Sequence, residues 1–273
     1  MHTDSLGLNT MVIYVSGLRL DTSYTFSNGF TISKFGDLPN DAISKGTLRV
    51  LRKNHSELYD DLYVLYKTVE SKNYTHELFE QAVFTSEIIS LNLSGHNGVE
   101  VLAASDYCTW NVPNLRNYGI SQKLSTIELD EIDENIRQFH ERSPIEKECI
   151  KVALMYLNKS KVCIKNVNGN YEHAIFLRVA LENCFNAPKH KKNSVIAERA
   201  AVLLDQFDSK LVKQRFKRIY DQTSTAVHTG KVPKVRKNNS KERKVTIEQY
   251  NMYDILVMSI LKIIRNGFPN WEP

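Results

Sequence analysis

The first third of the chain alternates between apolar and polar positions in the way that is typical of β-strands. Segment 11–16 is rich in β-branched and aromatic residues, and Tyr24 and Phe26 alternate with polar neighbours. The dipeptide Asn28-Gly29 follows, and this sequence is typical of a tight turn between two strands. The pattern therefore predicts a strand-rich N-terminal region that contains a hairpin.

Helical spacing enters further along the same region. Segment 56–71 carries leucine, tyrosine and valine at helical spacing, and segment 76–93 does so over a longer stretch. Segments 47–51 and 99–104 are predicted to be further strands. We therefore predict a mixed strand and helix domain over residues 1–124.

From Ser125 onwards, every strong pattern is helical. Ser125 and Glu128 match a capping box, in which the two side chains bond the free N–H groups at a helix start. Ser143-Pro144 places a proline at a first helical position. The predicted helices cover residues 126–141, 144–160, 171–185, 194–207, 208–228 and 246–266. The fold class is therefore α+β, with an all-helical domain over residues 125–273.

Composition narrows the classes of function. The chain has 273 residues, a formal net charge of +5 and 42% apolar residues, which are values typical of a soluble protein. No apolar run is long enough to span a bilayer, and the first residues lack the pattern of a secretory signal. The cysteines are widely spaced, with no histidine at ligand spacing, so no metal and no other cofactor is expected. We expect a cytoplasmic protein that does not enter a membrane.

Positive charge is concentrated late in the chain. A first basic run comprises Lys189, Lys191, Lys192, Lys210, Lys213, Arg215, Lys217 and Arg218. A second comprises Lys231, Lys234, Arg236, Lys237, Lys241, Arg243 and Lys244. The second run is polar throughout and is predicted to be a loop. Such clusters bind the phosphates of RNA, although a solvated loop is the simpler alternative.

A histidine near the end of predicted helix 208–228 is the main candidate for chemistry. His228 is followed closely by Gly230, and Thr223 with neighbouring hydroxyls lies about one turn earlier. Lys217 and Arg218 lie further up the same helix. A titratable group beside donors and cations suits the handling of a phosphodiester, while a histidine that only packs the helix end is the alternative.

Three blocks of sequence resemble the HEPN superfamily, in particular its Apea-like domain. Tyr220 and Asp221, followed by His228 and Gly230, are similar to the last block of that domain. Segments 174–185 and 196–204 resemble its earlier and middle helices. The blocks stand in the family order and cover roughly residues 145–265. The resemblance implies that the helical domain is a HEPN-type bundle.

The resemblance also implies an activity and partners. Active members are metal-independent endoribonucleases that act as dimers, and arginine and histidine from both subunits form one cleft. The family histidine corresponds to His228. The expectation is an RNA-directed protein of a prokaryotic defence or toxin system, with a homodimer formed through the helical domain. The N-terminal domain is a candidate site for a protein partner.

One position departs from the family pattern. Thr223 stands where the family has an arginine, so we keep two hypotheses. In the first, the protein cleaves RNA with His228, Thr223 and Arg218, or with Arg178 or Arg199 from a neighbouring helix. In the second, the domain is catalytically degenerate and serves dimerisation, RNA binding or partner sensing.

The remaining candidates fall into two groups. The predicted RNA-binding residues are Lys217, Lys231, Lys234, Arg236 and Lys237. The predicted supporting residues are Glu182, Asn183, Arg199, Tyr220 and Asp221. For Glu182 and Asn183, the alternative is a buried polar pair that fixes helix packing. For Arg199, it is a salt bridge to Glu182 or Glu198.

Overall fold

The structure, a computed structural model, describes residues 9–15, 18–38, 63–69, 76–92, 122–164, 170–229 and 252–271. The chain divides into two compact units, Met1–Arg137 and Gln138–Pro273. The described strands all lie in the first unit, whereas the second is built from helices. The fold class is therefore α+β, as predicted.

A four-stranded antiparallel sheet forms the centre of the first unit. Its spatial order is β1 (Asn9–Val15), β5 (Tyr63–Val69), β4 (Thr31–Lys34) and β3 (Tyr24–Thr25). A separate parallel pair joins β2 (Leu18–Arg19) to β6 (Gln122–Lys123). One short 3-10 turn, Phe35–Asp37, follows β4.

The predicted hairpin is confirmed. The Phe26 N–H donates to the Phe30 carbonyl at 2.8 Å, and the Gly29 N–H donates to the Phe26 carbonyl at 2.9 Å. Gly29 has a φ of +83°, which glycine adopts without a steric penalty. The turn residues thus close β3 onto β4 at the position that the Asn28-Gly29 pair indicates.

Strand β5 corrects the helix predicted for segment 56–71. Residues 63–69 pair with β1 on one side and β4 on the other, at the centre of the sheet. Tyr63, Val64 and Leu65 are all buried in succession, and a continuous apolar run of this kind does not by itself distinguish a central strand from a helix. The strands predicted for 47–51 and 99–104 lie outside the described residues.

Two helices accompany the sheet. Helix α1 (His76–Leu91) contacts β1 and β5. Helix α2 (Thr126–His140) is tied to the β3–β4 hairpin, because Asp130 accepts from the Tyr24 hydroxyl and Asp133 accepts from the Ser27 N–H, both at 2.7 Å. These bonds explain why the two compact units divide within α2, whereas the sequence places the domain boundary before it.

Among the described residues, the second unit has five further helices. They are α3 (Pro144–Ile164), α4 (Asn170–Cys184), α5 (Lys192–Leu203), α6 (Ser209–Thr229) and α7 (Met252–Asn266). Each predicted helix from residue 125 onwards has a counterpart, although α5 ends four residues before the predicted end and residues 246–251, where the last helix was predicted to begin, lie outside the described residues. In the part of the chain that the structure describes, no helix is long and apolar enough to cross a membrane.

Helix α6 shows why the helical unit folds as it does. Val212, Phe216 and Ile219 are at most 2% exposed and recur at the spacing of one helix face. Phe216 meets Phe185, at the end of α4, edge to face with ring centroids 5.2 Å apart. Burial of this stripe leaves the opposite face of α6 to polar residues.

A capping box at the start of α3 also holds the end of α7. Glu146 Oε2 accepts from the Ser143 N–H at 2.9 Å and from the Ser143 hydroxyl at 2.7 Å. Its other oxygen, Oε1, accepts from the Phe268 N–H at 2.5 Å. Burial favours the protonated form, but these hydrogen bonds outweigh burial and hold the pKa of Glu146 below its usual range. One carboxylate thus joins two distant parts of the chain.

We predict that Glu146→Ala lowers the free energy of unfolding by about 2 kcal/mol, since a helix cap and a charge-assisted hydrogen bond are lost. Because the folded pKa is depressed, the carboxylate stabilises the protein fully above its unfolded pKa. This contribution is lost as the pH falls through the folded value. Urea unfolding at pH 7 and pH 3.5 measures both effects.

The matched control is Glu148→Ala, which removes an exposed carboxylate from the same helix. It should change stability by no more than about 0.5 kcal/mol. Equal destabilisation by the two variants at pH 7 would contradict the role assigned to Glu146.

Candidate functional site

The outward face of α6 determines which of its polar side chains a ligand can reach. Lys217, Asp221 and His228 are exposed on the side opposite the buried stripe. The eleven residues from Lys217 to His228 return to nearly the same helix face, about 16 Å further along the axis. His228 therefore lies at the accessible end of a polar face that begins at Lys217.

Thr223 lies on the other side of the same helix. It is only 4% exposed, and its hydroxyl donates to the carbonyl oxygens of Ile219 and Tyr220, at 3.1 and 3.0 Å. The hydroxyl is therefore used within α6. Thr223, at the position where the resemblance implies an arginine, contributes to packing and offers no donor to a ligand at the surface.

A polar network around the Glu182 carboxylate joins α4, α5 and α6. Arg178 Nε donates to Glu182 Oε1 at 3.0 Å, and Lys192 Nζ donates to Oε2 at 2.5 Å. The Tyr220 hydroxyl donates to Glu182 Oε1 at 3.1 Å and accepts from Arg178 Nη2 at 3.1 Å. The side chains of Arg178 and Glu182 are each only 19% exposed. The network thus holds two cations in fixed positions beside α6.

The Glu182 carboxylate and the Tyr220 phenol keep the protonation states that their hydrogen bonds require. Burial raises the pKa of Glu182, but hydrogen bonds from Lys192 and Arg178 outweigh it and hold the pKa below its usual range. Burial, and then the Glu182 carboxylate, raise the pKa of Tyr220. The carboxylate stays ionised and the phenol stays protonated near neutral pH.

Arg178, Lys192 and Tyr220 of this network also line a cavity that we call the basic groove. It has a volume of about 690 Å³ and is lined by Arg178, Lys189, Lys191, Lys192, Asn193, Ser194, Lys217 and Tyr220. Five of the eight lining residues are cationic, and none is acidic. Within the part of the chain that the structure describes, Lys189, Lys191 and Lys217 form no ion pair. The groove therefore presents positive charge that the described part of the chain does not neutralise.

The start of α5 shapes the groove. Lys191 has a φ of +55°, a left-handed conformation that costs a non-glycine residue about 1 kcal/mol. This turn brings Lys191 and Lys192 to the groove at the beginning of the helix. Asn193 Nδ2 donates to Asp221 Oδ1 at 2.7 Å, which fastens the first turn of α5 to α6.

The arginines predicted to replace the family residue occupy different places. Arg178 reaches α6 at Tyr220, about 12 Å along the axis before His228, which exceeds the span of a single phosphate group. Arg218 is exposed on α6. Arg199 Nη1 donates to the carbonyl oxygens of Phe185 and Asn186, at 2.7 and 2.5 Å, and so satisfies the end of α4. Within one chain, Arg178 and His228 therefore do not form a single phosphate site.

The predicted supporting residues fall into two groups. Glu182, Tyr220 and Asp221 contact residues that line the basic groove. Asn183, by contrast, donates to the Val179 carbonyl of its own helix at 2.9 Å. Glu198 pairs with Lys213, so the salt bridge considered for Arg199 is not the contact observed.

Several residues that line the basic groove are not among the sequence-predicted site residues. Arg178 was considered only as a substitute for the missing arginine, and Lys189, Lys191 and Lys192 only as part of the general charge excess. The signal that could have identified them is a basic cluster directly before a predicted helix start. The predicted RNA-binding residues Lys231, Lys234, Arg236 and Lys237 lie outside the described residues.

Comparisons with known proteins add no relative. No protein-family model, no curated protein sequence and no solved structure matches the chain significantly. Among the residues that the structure describes, no group of three or more histidine, cysteine or acidic side chains could hold a metal ion. The function therefore has to be inferred from the helical unit itself.

We predict that Thr223→Arg lowers the free energy of unfolding by about 3 to 5 kcal/mol, although it supplies the arginine that the resemblance implies at this position. The position is buried, and a guanidinium there would lose its hydration without gaining a carboxylate partner. Urea unfolding monitored by circular dichroism measures the change.

Thr223→Val is the matched control, since it keeps the shape of the side chain and removes only the hydroxyl. Its effect should stay within about 1 kcal/mol, because the hydroxyl bonds carbonyls of its own helix. A stable Thr223→Arg protein would show that position 223 can reach solvent, contrary to the packing described above.

Proposed function

We propose that the helical unit binds RNA through the basic groove and the adjoining exposed face of α6 from Lys217 to His228. The observation that carries this proposal is the groove itself, which five cationic side chains line without an acidic one. The RNA-directed class comes from the resemblance to the HEPN superfamily. Of the two hypotheses, the geometry favours binding over cleavage.

The physical basis of binding is release of counterions. Each RNA phosphate that a lysine or arginine neutralises frees condensed cations into solution, so binding weakens as salt rises. Lys189, Lys191 and Lys217 are exposed and available for such contacts. Arg178 and Lys192 are held by Glu182, so they add positive potential without losing further side-chain freedom. The groove thus combines two cations that Glu182 holds in place with three exposed lysines.

Packing of α6 is what argues against cleavage. An active site of the family type needs an arginine close to the histidine, where it stabilises charge on the phosphate. Thr223 is buried in that position, and Arg178 contacts α6 about 12 Å before His228. A catalytically degenerate HEPN-type bundle accounts for both facts.

The wider setting follows from the same resemblance. We propose a homodimer formed through the helical unit, a role in a prokaryotic defence or toxin system, and a protein partner for the N-terminal unit. Of these, homodimerisation bears on the site, because a second copy would bring another basic groove to the same RNA. Sedimentation with and without RNA tests it.

We predict that the purified protein binds single-stranded RNA with strong salt dependence. The double variant Lys189→Gln, Lys191→Gln should weaken binding at least about tenfold, because two phosphate contacts are lost. It should also reduce the slope of log affinity against log salt by about 1.4, at about 0.7 for each contact. Fluorescence anisotropy over a series of salt concentrations measures both quantities.

Lys210→Gln is the control for this experiment. Lys210 is an exposed cation on α6 that does not line the groove, and its removal changes the net charge of the same helix. It should leave the affinity within about twofold of that of the unmodified protein. If Lys210→Gln weakened binding as much as substitution of a groove lysine, binding would depend on the overall charge of the protein. That result would contradict the assignment of the groove.

Cleavage at His228 remains a second candidate, and a specific observation favours it. The imidazole is exposed on the same face of α6 as Lys217, where an RNA strand that leaves the groove can reach it. In this alternative, His228 exchanges a proton with the ribose 2′-hydroxyl or the leaving oxygen, and no metal is needed.

If His228 is catalytic, the protein should cleave RNA in the presence of a chelator, and His228→Ala should lower the rate by at least about a hundredfold without weakening binding. If it is not, RNA should be bound and recovered intact from both proteins. Gel analysis of end-labelled RNA decides between these outcomes, and cleavage that persists in His228→Ala excludes the histidine.

A further inference from the structure

We infer that the basic groove is a site for a terminal phosphate group, such as a phosphomonoester at the end of an RNA strand or on a free nucleotide. The inference deepens the proposed function and rests on it for the RNA source of the phosphate. The groove would thus prefer one kind of phosphate group, whereas the proposed function requires only that it binds RNA.

The groove carries an excess of positive charge. Of its five cations, only Arg178 and Lys192 contact a carboxylate of the described residues, that of Glu182, while nearby Asp221 accepts from the neutral lining residue Asn193. The cations are thus in excess within a single concavity. A phosphodiester brings one negative charge, whereas a phosphomonoester brings between one and two near neutral pH and offers three acceptor oxygens. The excess charge therefore favours the monoester.

The size of the groove limits which ligand it can hold. The groove is open to solvent, and its volume of about 690 Å³ is enough for one small ligand. A site that tracks a strand would distribute its cations along a line, one near each phosphate. Here Lys189, Lys191 and Lys192 come from one short stretch of chain, and Arg178 and Lys217 line the same groove from α4 and α6. The cations are therefore clustered in one groove, which suits a single phosphate group.

The groove also has hydrogen-bond donors besides its lysines. Asn193 and Ser194 line the groove in the first turn of α5, where backbone N–H groups have no partner within the helix. Donors of this kind add to the lysines, because phosphate oxygens accept several hydrogen bonds at once.

The test compares two RNA oligonucleotides of the same sequence, one with a 5′-phosphate and one with a 5′-hydroxyl. We expect the full-length protein to bind the phosphorylated RNA about tenfold more tightly. The variant Lys189→Gln, Lys191→Gln should bind both RNAs with the same, weaker affinity. Lys210→Gln should keep the preference, since Lys210 lies outside the groove.

Competition with a 5′-mononucleotide, its nucleoside and inorganic phosphate identifies the source of the phosphate. Displacement of RNA by the mononucleotide and not by the nucleoside supports the site. Binding of the mononucleotide without any binding of RNA would keep the phosphate site and remove the proposed RNA function. Equal affinity of the unmodified protein for the two RNAs would overturn the inference and leave RNA binding in place.

Discussion

The helical unit depends on one carboxylate that three neighbours share. Glu182 accepts hydrogen bonds from Arg178, Lys192 and Tyr220, which lie on α4, α5 and α6. Removal of this largely buried anion would leave two cations without a counterion, at a cost of about 3 to 5 kcal/mol. The same contacts fix Arg178 and Lys192 at the edge of the basic groove. Stability of the helical unit and the charge of its surface therefore have a common origin.

The packing of α6 connects the fold to the function. Burial of its apolar stripe sets the rotation of α6 about its axis. Thr223 is therefore buried in the core, while Lys217 and His228 lie on the exposed face. A threonine that bonds its own helix stabilises no charge on a phosphate, and the cations are gathered instead near Tyr220. This separation between the cations and His228 is why we place binding before cleavage in the proposed function.

Much of this architecture could be predicted from local pattern. The Asn28-Gly29 turn and the helices of the second unit were correct, because each depends on residues close in sequence. Strand β5 was missed, because a central strand buried on both faces shows no alternation. The basic groove was missed for another reason. Arg178, Lys191 and Lys217 come from separate segments, and only tertiary packing brings them together.

The central claim is that RNA contacts the helical unit at the basic groove, and a photo-crosslink map tests it most directly. RNA carrying a photoreactive base would be bound to the full chain and irradiated, and the crosslinked peptides would be identified by mass spectrometry. Crosslinks should occur in the segment that contains Lys189, Lys191 and Lys192 and in the part of α6 that contains Lys217. Crosslinks confined to the N-terminal unit would contradict the claim.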